Sequence, residues 1–222
     1  MVNYQWKNFL KFYLGDPEIR AHLDALHACP PDADEHTGEI VEGVITKINC
    51  SGIIAIVSRR RIDLNRPRNE SNQDAVDEYR RTVREILQNT RRLDKNGKLL
   101  KPYLHLDIHG MWDTEKNDDI EIGTLQGKTC SLEVRQWLVA EMQKHFKKIQ
   151  IDGRFSGDPS KAVHRWGDPT GDANYIGFGE NFNTFQIEIN RTLRKKHRKQ
   201  LIEIFSNLII QFNEKFNGIP IP

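Results

Sequence analysis

The residues of this chain best suited to chemistry are histidines and carboxylates, which stand in a few short segments. His109 ends residues 103–109 (YLHLDIH), where every second side chain is apolar. Such alternation predicts a β-strand with one buried face. A histidine at the end of a buried strand, next to Gly110, can turn its ring into a cleft, and neutral imidazole is a common zinc ligand. His109 is therefore a candidate metal ligand, although a buried structural histidine would have the same pattern.

A second group of histidines and acidic residues precedes the first predicted helix. Two ligand sets are compatible with the spacing, either His27 with Asp34 or the HxxE pair of His36 and Glu39. Thr37 is better interpreted as a helix cap, because a hydroxyl oxygen can accept a hydrogen bond from a free backbone N–H group. The spacing by itself does not decide between the two ligand sets.

Arginines follow residues 52–57 (GIIAIV), a short apolar run typical of a strand buried on both faces. The next segment, residues 58–66, has the sequence SRRRIDLNR. Arginine can form two parallel hydrogen bonds with a carboxylate, and asparagine can add an amide donor. We therefore expect Asn65 and Arg66 to bind a substrate carboxylate, with Asp63 holding one of the arginines in place. An exposed basic turn would have the same composition.

The last candidate is Glu188, within residues 184–190 (TFQIEIN), whose alternation also predicts a strand. Its side chain is expected on the face opposite Phe185, Ile187 and Ile189. Because a carboxylate is costly to bury unless it is paired or functional, Glu188 is a candidate general base. Exposure on an edge strand is the alternative.

The candidate residues must be positioned by helices and strands, which alternate along the chain. Apolar residues at helical spacing predict helices at residues 38–48, 71–93, 132–149 and 191–216. Helices between apolar strands favour an α/β sandwich with a mixed, largely parallel sheet, where ligands bind at the carboxyl ends of the strands.

Residues 152–183 lack periodicity and predict a long loop, and loops of this length are often functional. Within this segment, Tyr175, His164 and Arg165 are weaker candidates for contacts with a substrate. They could equally be surface residues.

Composition limits the class of protein. The chain has 222 residues, of which 37% are hydrophobic and 29% charged, as expected for one globular domain over residues 1–222. No apolar run approaches the roughly 18 residues that span a bilayer. The first residues lack the apolar block of a secretory signal, and the three cysteines share no CxxC spacing, so we expect a cytoplasmic protein. A net charge of +2 is too small to indicate a nucleic-acid partner.

Taken in chain order, these segments resemble the N-formylglutamate amidohydrolase family, a branch of the zinc-carboxypeptidase-like hydrolases. The similarity extends over residues 22–194 and is carried by SRxxxDLNR, a D-x-H strand end and a late Q-x-E strand. It implies a three-layer α/β sandwich of the zinc-carboxypeptidase/phosphorylase-like kind, with one catalytic zinc ion.

The resemblance also implies roles for single residues. His109 corresponds to the D-x-H metal ligand, and Glu188 to the catalytic glutamate. Arg59 corresponds to an arginine that polarises the scissile carbonyl. Asn65 and Arg66 correspond to the pair that binds the carboxylate of the substrate.

For the first two ligands the resemblance favours His27 and Asp34, because the family's acidic ligand lies three residues before a helix start led by threonine. His36 and Glu39 remain the alternative. The chain departs from the family pattern after the first ligand, where it has Ala-Cys-Pro-Pro instead of a Ser-Gly or Gly-Gly turn. It also has Gly110 where serine is usual, so the substrate stays open.

The activity that the resemblance implies is zinc-dependent hydrolysis of the amide bond of an N-acyl amino acid or short peptide with a free carboxylate. Glu188 would accept a proton from water and deliver it to the leaving amine. The alternative is a protein of the same fold without turnover. It would contact an acidic partner through residues 191–199 (RTLRKKHRK), the basic part of the C-terminal helix.

Overall fold

A mixed β-sheet forms the centre of the protein, whose computed structural model describes residues 2–113, 119–157 and 159–219. In these ranges the strands are β1 (Gln5–Trp6), β2 (Leu10–Tyr13), β3 (Ala21–Ala25), β4 (Ser51–Ala55), β5 (Tyr103–Met111), β6 (Ile120–Gly123), β7 (Ile149–Ile151) and β8 (Phe182–Asn190). Their order in the sheet is β1-β2-β4-β3-β5-β8-β6-β7. The central strands β4, β3, β5 and β8 are parallel, whereas β2 and β6 run antiparallel to their central neighbours. The predicted fold class is confirmed.

Helices cover both faces of the sheet. The helices of the described ranges are α1 (Thr37–Ile48), α2 (Gln73–Asn89), α3 (Leu132–Gln143), α4 (Pro159–Trp166), α5 (Arg191–Lys196) and α6 (Arg198–Asn217). Apolar residues of α1, α3 and α6 pack in one core, and those of α2 and α4 pack in a second core across the sheet. The result is the three-layer arrangement that the sequence predicts.

The central strands alternate between an apolar face and a polar face. On β5, for example, Leu104 and Leu106 enter the core of α1, α3 and α6, and His105 and Asp107 point to the opposite face. Strands covered by helices on both sides are usually apolar on both faces. A buried polar row beneath α2 and α4 is therefore the unusual feature of this sheet, and it leads to the carboxyl ends of the strands.

Two helix predictions and one loop prediction need correction. The helix predicted at residues 132–149 ends at Gln143, and Ile149 instead begins the edge strand β7, which is parallel to β6. The helix predicted at residues 191–216 is divided at His197, whose backbone is not helical. The predicted loop contains α4, which the periodicity did not indicate because this short helix turns the polar side chains of Lys161 and His164 inward.

No helix in the described ranges is long and apolar enough to cross a membrane. The cytoplasmic location and the single domain over residues 1–222 stay predictions.

Candidate active site

A cavity of about 270 Å³ opens at the carboxyl ends of β3, β5 and β8. It is lined by His27, Asp34, Arg59, Asn65, Arg66, His109, Gly110, Arg154, Phe155, Ser156, Gly157, Gln186 and Glu188. The fold thus brings together the three predicted metal ligands, the two predicted catalytic residues and the predicted carboxylate-binding pair. This position agrees with the rule that ligands of parallel sheets bind at the carboxyl ends of the strands.

His27, Asp34 and His109, which we call the edge group, form the centre of the cavity. Each offers one ligand atom, and these atoms lie within 4.8 Å of one another. The two imidazole rings are 4.7 Å apart between centroids and inclined at 73°. Two imidazoles and a carboxylate are a common protein ligand set for catalytic zinc. The three residues are almost completely buried.

The start of α1 positions Asp34. Its backbone N–H donates to the carbonyl of His27 at 2.8 Å, and the Thr37 hydroxyl donates to the carbonyl of Asp34, also at 2.8 Å. Thr37 was predicted to cap the helix, but His36 occupies the cap position and makes no capping bond with its side chain. The hydroxyl of Thr37 instead fixes the loop that carries Asp34.

Hydrogen bonds fix the protonation of the His27 ring. Arg59 Nη1 lies 2.9 Å from Nδ1, and a guanidinium can only donate, so Nδ1 carries a lone pair. The other nitrogen, Nε2, then carries the proton and donates to Asp63 Oδ1 at 2.8 Å. Metal-ligating histidines commonly donate to a carboxylate in this way. Asp63 also lies 3.3 Å from Arg66 Nε, which is the kind of contact predicted for it.

His109 is enclosed by carboxylates. Its Nδ1 lies 3.2 Å from Asp34 Oδ2, and its Nε2 lies 2.8 Å from Asp107 Oδ2. Burial lowers the pKa of His109, but Asp107 and Asp34 outweigh burial and raise this pKa well above its usual value. Burial would likewise raise the pKa of Asp34, yet the hydrogen bond from His109 and the adjacent His27 ring lower it. Metal binding would therefore displace a proton from His109.

Arg59 approaches the same atoms that a metal ion would contact. Its Nη2 donates to Asp34 Oδ1 at 2.5 Å, and its Nε donates to the carbonyl of Asp32 at 2.6 Å. A positively charged group thus already lies against the lone pair of His27 and the carboxylate of Asp34. The donors and their electrostatics fit a cation at this position.

Glu188 lies on β8 directly opposite His109 on β5. Its side chain is buried and accepts a hydrogen bond from Gln186 Nε2 at 2.8 Å. Burial raises the pKa of Glu188 although His109 and Gln186 act to lower it. A carboxyl group with a raised pKa next to a cation site is suited to accept and return a proton.

The predicted carboxylate-binding pair is divided between the interior and the mouth of the cavity. Asn65 is buried, with its side-chain nitrogen 3.2 Å from His109 Nε2. The side chain of Arg66 also lines the cavity but is 65% exposed.

The structure does not bring Tyr175, His164 and Arg165 to this cavity. His164 Nδ1 lies 2.8 Å from the Tyr175 hydroxyl, and Arg165 donates to the carbonyl of Glu180 at 2.9 Å. All three are buried: His164 and Arg165 on α4, which packs against the sheet, and Tyr175 in the segment that follows α4. Their contacts are structural rather than contacts with the cavity.

The alternative ligand pair also lies away from the cavity. His36 Nδ1 is 2.9 Å from Glu39 Oε1, and Arg198 contacts both residues near the surface. Within the basic run, Arg191 pairs with Glu35, and Arg194 is buried and donates to backbone carbonyls. Binding of an acidic partner through this run stays a prediction.

Gly110 has a packing reason to be glycine. A Cβ atom at this position would lie 2.6 Å from a guanidinium nitrogen of Arg194. Glycine instead of the family's serine at position 110 therefore leaves room for Arg194 to pack against the backbone of Gly110.

A second set of donors, which we call the interior group, lies deeper on the same face of the sheet. His22, Asp24 and His105 also have ligand atoms within 4.8 Å, and all three are 0% exposed. The two rings are stacked, however, with centroids 4.2 Å apart and planes within 9° of parallel. An ion coordinated by both rings must lie near both planes, which is not possible for stacked rings. Sequence and distance alone would not distinguish this group from the edge group.

Hydrogen bonds give the interior group a structural role. His22 Nδ1 lies 3.1 Å from the Tyr103 hydroxyl, and His105 Nδ1 lies 2.7 Å from Thr184 Oγ1. Tyr79 donates its hydroxyl proton to Asp24 at 2.5 Å. Burial lowers the pKa of both histidines, which favours their neutral form.

Sequence reasoning missed Lys161, on α4, which forms a fully buried ion pair with Asp107. Since Asp107 also contacts His109, this lysine supports a residue of the edge group. The strand alternation could have identified Asp107, which is two residues from His109 and therefore on the same face. Nothing local in the sequence indicated Lys161 or Arg154.

Comparison with solved structures shows where this fold occurs. It matches N-formylglutamate amidohydrolase from Ralstonia eutropha with a TM-score of 0.66 and 16% identity, over 95% of this chain and 99% of that chain. A bacteriophage poly-gamma-glutamate hydrolase matches with a TM-score of 0.52 and 15% identity, over 98% and 91% of the two chains.

A gene product of Agrobacterium tumefaciens matches with a TM-score of 0.59 and 12% identity, over 91% of this chain and 94% of that chain. No family model and no curated protein sequence matches this chain. The chain thus shares its fold, over nearly its whole length, with an amidohydrolase and a poly-gamma-glutamate hydrolase.

Proposed function

We propose that this protein is a zinc-dependent hydrolase that cleaves the amide bond of an N-acyl amino acid with a free carboxylate. The observation that carries the proposal is the convergence of His27, Asp34 and His109 at one point beside the buried Glu188. The resemblance of the sequence segments to N-formylglutamate amidohydrolases supports it.

The edge group would hold the metal ion. A bound zinc ion supplies Lewis acidity, which lowers the pKa of water and polarises a carbonyl group. Asp63 and Asp107 contact the outward nitrogens of His27 and His109, and such carboxylates orient the rings of metal-ligating histidines.

Glu188 is proposed to move the proton. It accepts a proton from the attacking water and then delivers this proton to the nitrogen of the leaving amine. Burial keeps its pKa above the usual value for glutamate, so the protonated form is accessible for the second step.

Arg59 is proposed to bind the carbonyl oxygen of the reacting amide, and Asn65 and Arg66 the carboxylate of the substrate. Arg59 donates to the oxygen of the scissile carbonyl as negative charge develops there. Asn65 and Arg66 bind the substrate carboxylate and thereby orient the amide for attack.

The test is the variant Glu188→Gln, which keeps the size of the side chain but removes its basic site. Zinc content should remain unchanged, and hydrolysis of N-acyl amino acids should decrease about 10²–10⁴-fold. Glu203→Gln, an exposed glutamate paired with Lys47, is the control and should retain full activity.

Full turnover by a zinc-loaded Glu188→Gln protein would contradict the proposed mechanism. Loss of zinc in this variant would make Glu188 a ligand instead of the base. Zinc binding by the unaltered protein without hydrolysis of any N-acyl amino acid would favour the binding-protein alternative.

A further inference from the structure

A second, larger cavity adjoins the candidate active site. It has a volume of about 520 Å³, compared with about 270 Å³ for the first cavity. The two share the lining residues Asp34, Arg59, Gly110, Arg154 and Phe155. A substrate bound at the edge group can therefore extend into the second cavity, which we call the side groove.

The side groove extends away from the residues proposed to bind the substrate carboxylate. Asn65 and Arg66 line the first cavity only, whereas the side groove continues past Asp34 and Gly110 to Met111 and Trp112. If the leaving amine carries the carboxylate, as the proposed function requires, the acyl part of the substrate lies on the side of this groove.

The lining of the side groove combines aromatic and cationic groups. Trp112 is 72% exposed, and the guanidinium of Arg191 lies 4.9 Å from the centre of its ring. Arg191 also forms an ion pair with Glu35 at 3.1 Å, which holds its guanidinium in position against the ring. A large, solvent-exposed aromatic side chain at the border of a cavity offers a flat apolar surface to a ligand.

Arg154 supplies the cationic part at the junction of the two cavities. Its guanidinium lies 5.2 Å from the centre of the Phe155 ring, and within the described ranges no carboxylate is paired with it. Arginine binds carboxylates with two parallel hydrogen bonds, so this position favours an anionic group on the acyl part.

We infer that the acyl part of the substrate is at least one amino-acid residue in size and acidic, and that it binds in the side groove. The substrate would then be a short acidic peptide. Arg154 binds the carboxylate of the acyl residue, and Trp112 packs against its aliphatic part. A formyl group, with one carbon atom, would contact none of this surface.

The reaction is the hydrolysis already proposed, and the inference rests on that proposal. The C–N bond of the amide breaks, a C–O bond forms between the acyl carbon and water, and the proton accepted by Glu188 goes to the amine nitrogen. Only the identity of the acyl group is new.

The test compares N-formylglutamate with N-acetylglutamyl-glutamate, which share the leaving residue and differ in the acyl group. The unaltered protein should show a higher kcat/KM for the peptide. In Trp112→Ala and in Arg154→Gln, the ratio of kcat/KM for the peptide to that for the formyl compound should decrease about 10-fold, as expected for loss of one contact to a charged or large apolar group.

Matched controls are Trp166→Ala, also a largely exposed tryptophan, and Arg60→Gln, an exposed arginine, neither of which lines either cavity. Both should keep the ratio of the unaltered protein. A preference for N-formylglutamate, or an unchanged ratio in the groove variants, would overturn the inference while leaving the proposed hydrolysis intact.

Hydrolysis of neither compound would count against the proposed function, and the side groove can then be tested by binding. Calorimetric titration with N-acetylglutamate, the acyl product of the peptide, should show binding that Trp112→Ala and Arg154→Gln weaken and Trp166→Ala does not. Equal affinity in all four proteins, or no binding to any of them, would overturn the inference independently of turnover.

Discussion

The edge group and the interior group contain the same residue types, two histidines and one aspartate. The interior group lies on β3 and β5, whereas the edge group combines His109 of β5 with His27 and Asp34 from the segment that follows β3. The rings of the edge group are inclined at 73° and border an open cavity. The rings of the interior group are stacked within 9° of parallel and are completely enclosed. Residue types and proximity therefore do not define a metal site, because ring orientation and access decide whether lone pairs can meet at one ion.

The two groups also differ in what surrounds their nitrogen atoms. In the edge group Asp63 and Asp107 contact the outward nitrogens of the histidines. In the interior group hydroxyl groups of Tyr103 and Thr184 take this place. Carboxylates increase the basicity of a ligating histidine more than hydroxyls do, so the surroundings favour a cation only at the edge.

The largest effect is expected from removing a histidine of the edge group. His27→Ala and His109→Ala should each reduce bound zinc from about one ion per chain to none, because two remaining donors are too few for a stable protein site. Elemental analysis after dialysis measures this. His22→Gln, in the interior group, should keep its zinc as long as circular dichroism shows a folded protein. A folded His22→Gln protein without zinc would contradict the distinction between the groups.

The next effect concerns the buried ion pair of Lys161 and Asp107, which lies behind His109 of the edge group. Lys161→Met leaves the buried Asp107 without this partner, and breaking such a pair typically costs about 3–5 kcal/mol of unfolding free energy. Urea denaturation provides the measurement. Lys144→Met removes a lysine paired with Glu141 on the surface. It should leave the midpoint of urea denaturation almost unchanged, since exposed ion pairs contribute little to the free energy of unfolding. Equal stability of the two variants would show that the buried pair is not needed.

A smaller effect is expected from the carboxylate that contacts His27. Asp63→Ala removes the acceptor of the Nε2 proton, and loss of such a partner typically weakens metal binding about 10–100-fold. Competition with a zinc chelator measures the affinity. Asp16→Ala is a carboxylate control, because Asp16 accepts from the backbone N–H of Glu18 and lines neither cavity, and this variant should bind zinc like the unaltered protein. Unchanged affinity in Asp63→Ala would remove Asp63 from the metal site.

The smallest effect should follow from Tyr79→Phe, which removes one hydrogen bond to Asp24 in the interior group. We expect a loss of about 1 kcal/mol of unfolding free energy, the usual net value for one hydrogen bond. Zinc affinity should not change, because Asp24 lies outside the edge group proposed to bind the ion. A decrease in zinc affinity as large as that of Asp63→Ala would mean that the two groups act as one site.

Local patterns in the sequence were sufficient for the strands that carry the reactive residues. The alternation in residues 103–109 and 184–190 placed His109 and Glu188 on polar faces, and both strands form as predicted. The period of two in an extended chain fixes which side chains share a face, whatever the strand packs against. The helix after the loop of Asp34 was predicted for a similar local reason.

Only the tertiary structure shows that His27 and Asp34, rather than His36 and Glu39, lie beside His109. Both pairs join a histidine to a nearby carboxylate, but the segment before α1 packs so that Asp34 reaches His109, whereas His36 contacts Arg198. Lys161 reaches Asp107 across 54 positions of the chain, on a helix whose inward residues are polar. Periodicity records apolar faces, whereas contacts between polar residues far apart in the chain depend on how the layers pack. The sequence by itself therefore determined the strands and their reactive faces, and the packing of helices on the sheet determined which of those residues meet.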